Sequence, residues 1–348
     1  MRYPKPLDTD TMRNRILVAA TSRGVGDGVY RKRLDEGVSK LEAAGYKVEV
    51  DPMARGNELP VLADTPRNIG KRFMERWATK DSDLVIAAAG GELMCEAMDH
   101  MDLEKLAYLV PKWFMGFSDN TNLAFLLPTA CDVAAVYGPC ICEYAMEPWH
   151  QVLKAALRAT STAKGGTYVV SGYQLHQGEK IRSEENPFAD YNVSVPNVLS
   201  YANASKENGC TFTGRAIGGC LDVLALYPGT AFDRMASFNK KYAKDGVIWM
   251  LEACDMNVFD VRRTLWQLDH AGWFDSATGF VFGRLPQDNE VEGFTYQDAI
   301  EGALGYKKLP MVWNCDLGHI PPSMPFIEGA WTTVSAKGDR IKLTQRLV

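Results

Sequence analysis

Trp113-Phe114-Met115-Gly116-Phe117-Ser118-Asp119-Asn120-Thr121 leads into a second apolar run, Leu123 to Leu127. The first run ends at a glycine, a polar cluster follows, and the second run can be helical. This is the pattern of a buried strand turning sharply into a helix. Such a turn lifts a serine hydroxyl out of the sheet. It also leaves the following N–H groups and the positive helix end beside any oxyanion formed there. The spacing is Gly-x-Ser-x-Asn, not Gly-x-Ser-x-Gly. On this motif alone a helix cap is the simpler reading, because Ser and Asp are preferred caps.

Working outward, the first half alternates strand and helix patterns. Ile16 to Ala20, Tyr46 to Val50 and Asp83 to Ala89 read as strands. Leu34, Val38 and Leu41 share one helical face, as do Ile69, Phe73 and Trp77 after the start signal Thr65-Pro66. A polar helix is expected from Glu92 to Leu109. Continuous apolar strands alternating with helices imply a parallel sheet covered on both faces. Ligands of such sheets bind beyond the carboxyl ends of the strands, where Gly90-Gly91 and Ser118 both fall.

Residues 161–213 are rich in Gly, Ser, Thr and Asn and read as a linker with an irregular excursion. The alternation then resumes. Gly218-Gly219-Cys220-Leu221 is expected to open a helix through Leu226. Val247 to Leu251 is a strand ending on Glu252, Gly279 to Gly283 is another, and Phe294 to Leu304 is a helix. Met311-Val312-Trp313 runs toward Gly318-His319, and the tail around Lys337-Gly338-Asp339 reads as a β-hairpin. The predicted organisation is an α/β chain: residues 1–160 form an N-terminal domain, 161–213 the excursion, and 214–348 a mixed α/β domain ending in that hairpin.

Composition excludes several classes of function. With 348 residues the chain is long for one core. A net charge of −5 argues against a nucleic-acid groove. No run of about 18 apolar residues predicts a membrane span, and the first ten residues lack the apolar core of a signal peptide, so a cytoplasmic protein is expected. The eight cysteines show no Cys-x-x-Cys spacing, so neither a metal site nor a cofactor is expected.

A serine nucleophile needs a base, and the base needs an orienting acceptor. Of the five histidines, His100 and His150 lie in polar, helix-like surroundings, His176 in the excursion and His270 at a helix end. His319 follows a buried strand and precedes Ile320-Pro321-Pro322, which places it on a rigid loop. A histidine satisfied by backbone is the competing reading. Glu252, directly after five apolar strand residues, is a carboxylate that needs a partner when buried. The partner is either an imidazole or an arginine.

Taken in order, these pieces resemble the LD-carboxypeptidase family of serine peptidases, which includes murein tetrapeptide carboxypeptidases and microcin C self-immunity peptidases. The matching motifs are Gly90-Gly91, Gly116 to Thr121, Tyr137-Gly138-Pro139, Gly214 to Gly219, Leu251-Glu252 and Gly318-His319. The resemblance implies a flavodoxin-like N-terminal domain with a mixed C-terminal one, and a site between them. It implies Ser118 as nucleophile, His319 as general base and Glu252 as its orienter. The N–H groups of Gly91 and Asp119 would form the oxyanion hole, and Gly90, Glu92 and Cys220 would lie at substrate-binding positions. Two departures from the family pattern stand out. Cys220 replaces the usual Asn, and Ala89-Gly90-Gly91-Glu92-Leu93 replaces Arg-Gly-Gly-Tyr-Gly. Glu92 then reads either as a negative charge near the pocket or as a helix cap.

The implied reaction is hydrolysis of an amide in a short peptide, with release of a terminal D-alanine from murein tetrapeptide. A terminal carboxylate would need a cationic anchor, for which Arg215 and Arg284 are candidates. The alternative substrate is an aminoacyl- or peptidyl-nucleotide conjugate, with Tyr173, Phe188, Tyr191 or Tyr201 as a stacking surface. A non-catalytic two-domain protein that binds a small ligand is the alternative of another class. The family often dimerises, so a homodimer is expected.

Overall fold

The apolar runs of the first half become strands β1 (Arg15–Ala19), β2 (Lys47–Val50), β3 (Leu84–Ala87), β4 (Trp113–Gly116) and β5 (Ala135–Tyr137). In the computed structural model, which describes residues 1–286 and 290–348, these five run parallel in the order β2-β1-β3-β4-β5. That order is the flavodoxin-like one. Every residue of β3 and β4 is buried, which is why neither shows a polar alternation. The helix Pro66–Ala78 begins as its sequence dictates. Thr65 accepts a hydrogen bond from the Asn68 N–H, Pro66 occupies the first turn, and Ile69, Phe73 and Trp77 face the core.

Eleven further strands follow in chain order: β6 (Thr167–Ser171), β7 (Leu175–Gln177), β8 (Val193–Pro196), β9 (Ser200–Ala202), β10 (Cys210–Cys220), β11 (Val247–Glu252), β12 (Ala277–Gly283), β13 (Met311–Cys315), β14 (Phe326–Glu328), β15 (Trp331–Lys337) and β16 (Arg340–Arg346). Strands β10 to β13 are the parallel centre of an eight-stranded mixed sheet, ordered β6-β16-β15-β10-β11-β12-β13-β9. The β15–β16 hairpin forms at the expected turn. Strand β14 returns to the first sheet and pairs antiparallel with β5.

Three local expectations are corrected. The helix expected over Glu92–Leu109 is two short ones, Met94–Met98 and Leu103–Tyr108, and Asp102 caps the second through the Lys105 N–H. The run Gly218-Gly219-Cys220 is the end of β10, and the helix after it covers only Leu221–Leu224. The excursion is more ordered than its composition suggests. It supplies β6 and β9 to opposite edges of the second sheet, and β7 pairs with β8.

The two sheets meet through aromatic packing. Phe125, on the helix Thr121–Cys131 that follows the serine turn, stacks on Trp273 with ring centroids 5.2 Å apart, and Trp273 stacks on Trp249 of β11 at 5.9 Å. Gly219 lies at the same junction. Its φ is +115°, and a Cβ there would sit 2.6 Å from Thr121 Cγ2 and 3.0 Å from Tyr137 Cε2. Gly219→Ala is therefore expected to cost about 3 kcal/mol, from backbone strain plus overpacking. Urea denaturation should show a lower midpoint at unchanged slope. An unchanged midpoint would mean that the junction yields freely.

Candidate active site

Ser118 follows β4 with φ +63°, a left-handed conformation that is uncommon for a residue with a side chain. Its hydroxyl makes no hydrogen bond among the described residues, and the helix Thr121–Cys131 begins without a side-chain cap, so the helix-cap reading of the motif does not hold. A Cβ on Gly90, at the neighbouring strand end, would lie 3.2 Å from Ser118 Oγ and 4.0 Å from the Asp119 N. Gly91 is backed by Ser22, whose Oγ would be 2.1 Å from an added Cβ. Only glycine lets the backbone approach there.

The Asp119 side chain points away from this surface. It is buried and accepts hydrogen bonds from Ser22 Oγ, the Met94 N–H (3.0 Å) and Asn122 Nδ2 (3.0 Å). Burial outweighs these bonds and raises its pKa. Its part in the site is to tie the serine turn to the Met94–Met98 helix.

Glu252 is the last residue of β11 and is completely buried. Tyr137 OH donates to its Oε1 at 2.6 Å, and His319 Nδ1 hydrogen-bonds its Oε2 at 2.7 Å. Tyr137 OH also accepts from the Ser118 N–H at 3.3 Å. One hydrogen-bonded chain thus runs from the serine backbone through Tyr137 and Glu252 to His319. The Phe117 ring lies against His319, with centroids 5.3 Å apart. His319 Nε2 is buried and unpartnered among the described residues. Ser118 and His319 both line one cavity of about 330 Å³, with no hydrogen bond between them. Burial works against a charge on His319, but the Glu252 carboxylate, with Cys254 adding to it, outweighs burial and raises the imidazole pKa.

The remaining expected positions separate. Gly90 lines the Ser118 cavity and also a neighbouring one of about 240 Å³, which Gly91 and Glu92 line too. Glu92 caps no helix. Burial, then Asp255, Asp119 and Asp222, raise its pKa. Cys220 is buried, its N–H donates to Thr121 Oγ1 at 3.1 Å, and its thiol turns to Asp222 Oδ2 at 3.2 Å. The Cys220 thiol, a Glu252 carboxylate oxygen and a His319 ring nitrogen lie within 4.8 Å of one another, and Glu252 already bonds Tyr137 and His319. Arg215 pairs with Asp245, and Arg284 with Asp316 and Asn197; neither lines the Ser118 cavity. Of the excursion aromatics only Tyr191 lines it. Tyr137, Glu143, Lys180 and Arg182 also line it, although the sequence pattern did not single out their side chains. Tyr137 carried one signal, its place at a strand end before Gly-Pro.

Residues 16–138 match the family model described as the LD-carboxypeptidase N-terminal domain, and residues 213–334 match the LD-carboxypeptidase C-terminal domain. The chain belongs to the LD-carboxypeptidase family. The peptidases of this family are serine hydrolases. A Streptomyces coelicolor protein named "Putative carboxypeptidase SCO6489" is 25% identical over 316 residues, covering 88% of this chain and 85% of that one. The fold is shared with microcin C7 self immunity protein MccF in complex with aspartyl sulfamoyl adenosine, at 18% identity, TM-score 0.83 and full coverage of both chains. It is also shared with muramoyltetrapeptide carboxypeptidase from Oxalobacter formigenes, at 19% identity and TM-score 0.72, covering 96% of this chain and 99% of that one. No helix among the described residues is long and apolar enough to cross a membrane.

The Glu252–His319 contact makes a prediction that needs no substrate. An NMR titration of the His319 ring should give a midpoint above about 6.5, the unperturbed value. Glu252→Gln removes the charge that favours the imidazolium, so the midpoint should fall to that value or below. A midpoint that Glu252→Gln leaves in place would show that another group sets it.

Proposed function

We propose that this member of the family is a serine peptidase that hydrolyses an amide bond in a short peptide through an acyl-enzyme. Ser118 is the nucleophile, His319 the general base and Glu252 the residue that orients it. The observation that carries this reading is the left-handed backbone of Ser118 beside a cavity that His319 also lines, with the His319 ring held through Nδ1 by the buried Glu252. The reading requires Oγ and Nε2 to come into hydrogen-bond range on substrate binding, as contacts of this kind often tighten only in the substrate complex.

In the proposed reaction Ser118 Oγ attacks the amide carbonyl while Nε2 of the unprotonated form of His319 takes its proton, so the reaction should speed up as pH rises and the imidazolium is lost. The Glu252 carboxylate stabilises the imidazolium that forms. The oxyanion is received by the N–H groups of Gly91 and Asp119, each worth about 100- to 1,000-fold in rate. The imidazolium then gives its proton to the leaving amine, and water attacks the ester with His319 again as base. All eight cysteines are free thiols, which suits the reducing cytoplasm in which this reading puts the protein.

The favoured substrate is a murein tetrapeptide that loses its terminal D-alanine. The alternative is an aminoacyl-nucleotide conjugate, the class of ligand named for the MccF complex. Against it, the Tyr191 ring is already flanked by His150, with centroids 5.4 Å apart, and by Arg182. In its favour, the exposed Tyr30 borders both cavities. Release of D-alanine from tetrapeptide without cleavage of aspartyl sulfamoyl adenosine would decide for the first. A fluorophosphonate should label Ser118, and Ser118→Ala should lower kcat by about 10⁴-fold or more. Hydrolysis that survives this substitution would refute the assignment. Binding of peptide with no hydrolysis by the wild type would favour a binding protein.

A further inference from the structure

The chain between β7 and β8 contributes Lys180, Arg182 and Tyr191 to the lining of the Ser118 cavity. Glu143 is the one carboxylate that lines this cavity among the described residues. It is fully engaged: Arg182 Nη1 and Nη2 donate to its two oxygens at 2.9 and 3.2 Å, and Tyr191 OH donates to Oε2 at 2.9 Å. Arg33 stands behind it, completely buried, with Nη2 3.9 Å from Glu143 Oε1 and with Nε and Nη2 lacking hydrogen-bond partners. One carboxylate therefore faces two guanidiniums. Burial would raise Glu143, but Arg182 and Arg33 outweigh it and hold its carboxyl below the usual range, so the anion persists and the cluster keeps a net positive charge.

Lys180 has no ion pair among the described residues. It lies two residues before Arg182, which lines the same cavity. The segment is pinned on both flanks. The Gln177 N–H donates to Pro321 O at 2.7 Å, close to His319 in sequence. Beyond Arg182, Glu184 accepts from the Val29 N–H at 2.6 Å and pairs with Lys32 at 3.0 Å. The Arg182 fork is occupied by Glu143, so among the described residues that line this cavity Lys180 is the cation left to meet a ligand.

We propose that Lys180 selects an anionic group on the substrate and holds it at the edge of this cavity while the scissile amide lies at Ser118. The proposal rests on reading the cavity as the substrate site. The group is a carboxylate of a peptide, or the acidic sulfamate or phosphate link of a nucleotide conjugate. Either offers oxygen acceptors to the Lys180 ammonium, which stands exposed at the edge of the cavity.

Calorimetry on the full chain carrying Ser118→Ala separates binding from hydrolysis. Three probes serve: murein tetrapeptide, the same peptide with a C-terminal carboxamide, and aspartyl sulfamoyl adenosine. If a carboxylate is the group, adding Lys180→Gln should weaken tetrapeptide binding by roughly tenfold, and Lys180→Arg should restore most of it. A carboxamide that already binds weakly and loses nothing further would locate the contact at the terminal carboxylate. If the acidic link is the group, only aspartyl sulfamoyl adenosine should weaken. Affinities for all three that change less than twofold in Lys180→Gln would overturn the proposal, and so would failure of all three to bind. Wild-type hydrolysis that is indifferent to Lys180 would leave the peptidase reading standing without this inference. Binding that depends on Lys180, with no wild-type hydrolysis, would do the reverse.

Discussion

The buried carboxylate of Glu252 is the constraint on which the site depends. A carboxylate with no exposed surface is costly unless its oxygens are bonded. Here the two bonds come from different parts of the chain. Tyr137 ends β5 of the first sheet, and His319 follows β13 of the second. Neither sheet alone supplies both partners. The cost of burying Glu252 thus couples the relative placement of the sheets to the imidazole orientation. The chain reaches the serine turn as well, through the Tyr137 hydroxyl and the Ser118 N–H. A shift of one sheet against the other would break a bond to a group that cannot turn to water instead.

Apolar packing carries most of the energy that keeps the sheets in this relation. The Phe125, Trp273 and Trp249 rings are stacked and almost fully buried, and large aromatics contribute more per residue than other apolar side chains. Hydrogen bonds then select one register from those that packing allows. The strained φ of Ser118 is sustainable in this setting. The turn is held by Asp119 on one side and by the helix Thr121–Cys131 on the other.

The legible parts of the sequence were those with local causes. Strands β3, β4 and β11 declared themselves through unbroken apolar runs, and the residues just after them, Gly90-Gly91, Ser118 and Glu252, could be named for that reason. Which strand ends meet is decided by contacts more than a hundred residues apart, such as Tyr137 with Glu252. Periodicity does not encode that. The short strands β7, β8 and β9 have three or four residues each, too few for an alternation to stand out from loop composition. The glycines at 218 and 219 suggested a helix start. They serve instead as close-contact positions at the end of a strand. Cys220 was expected to face substrate, but its thiol turned to Asp222, a neighbour that spacing alone could not choose.

The distribution of charge along the cleft adds direction to this geometry. Glu92 lies on the Gly91 side, near enough to Asp255, Asp119 and Asp222 for them to raise its pKa in addition to burial. A negative charge there would oppose an oxyanion at the proposed Gly91 N–H position. The adjoining cavity is lined by Lys180 and Arg182, and Arg33 is buried behind Glu143. In the proposed reading an acidic substrate group would meet the Lys180 side of the cleft and not the Glu92 side. Backbone donors at Gly91 and Asp119 would then receive the carbonyl, and side-chain charge would set which way round the substrate lies.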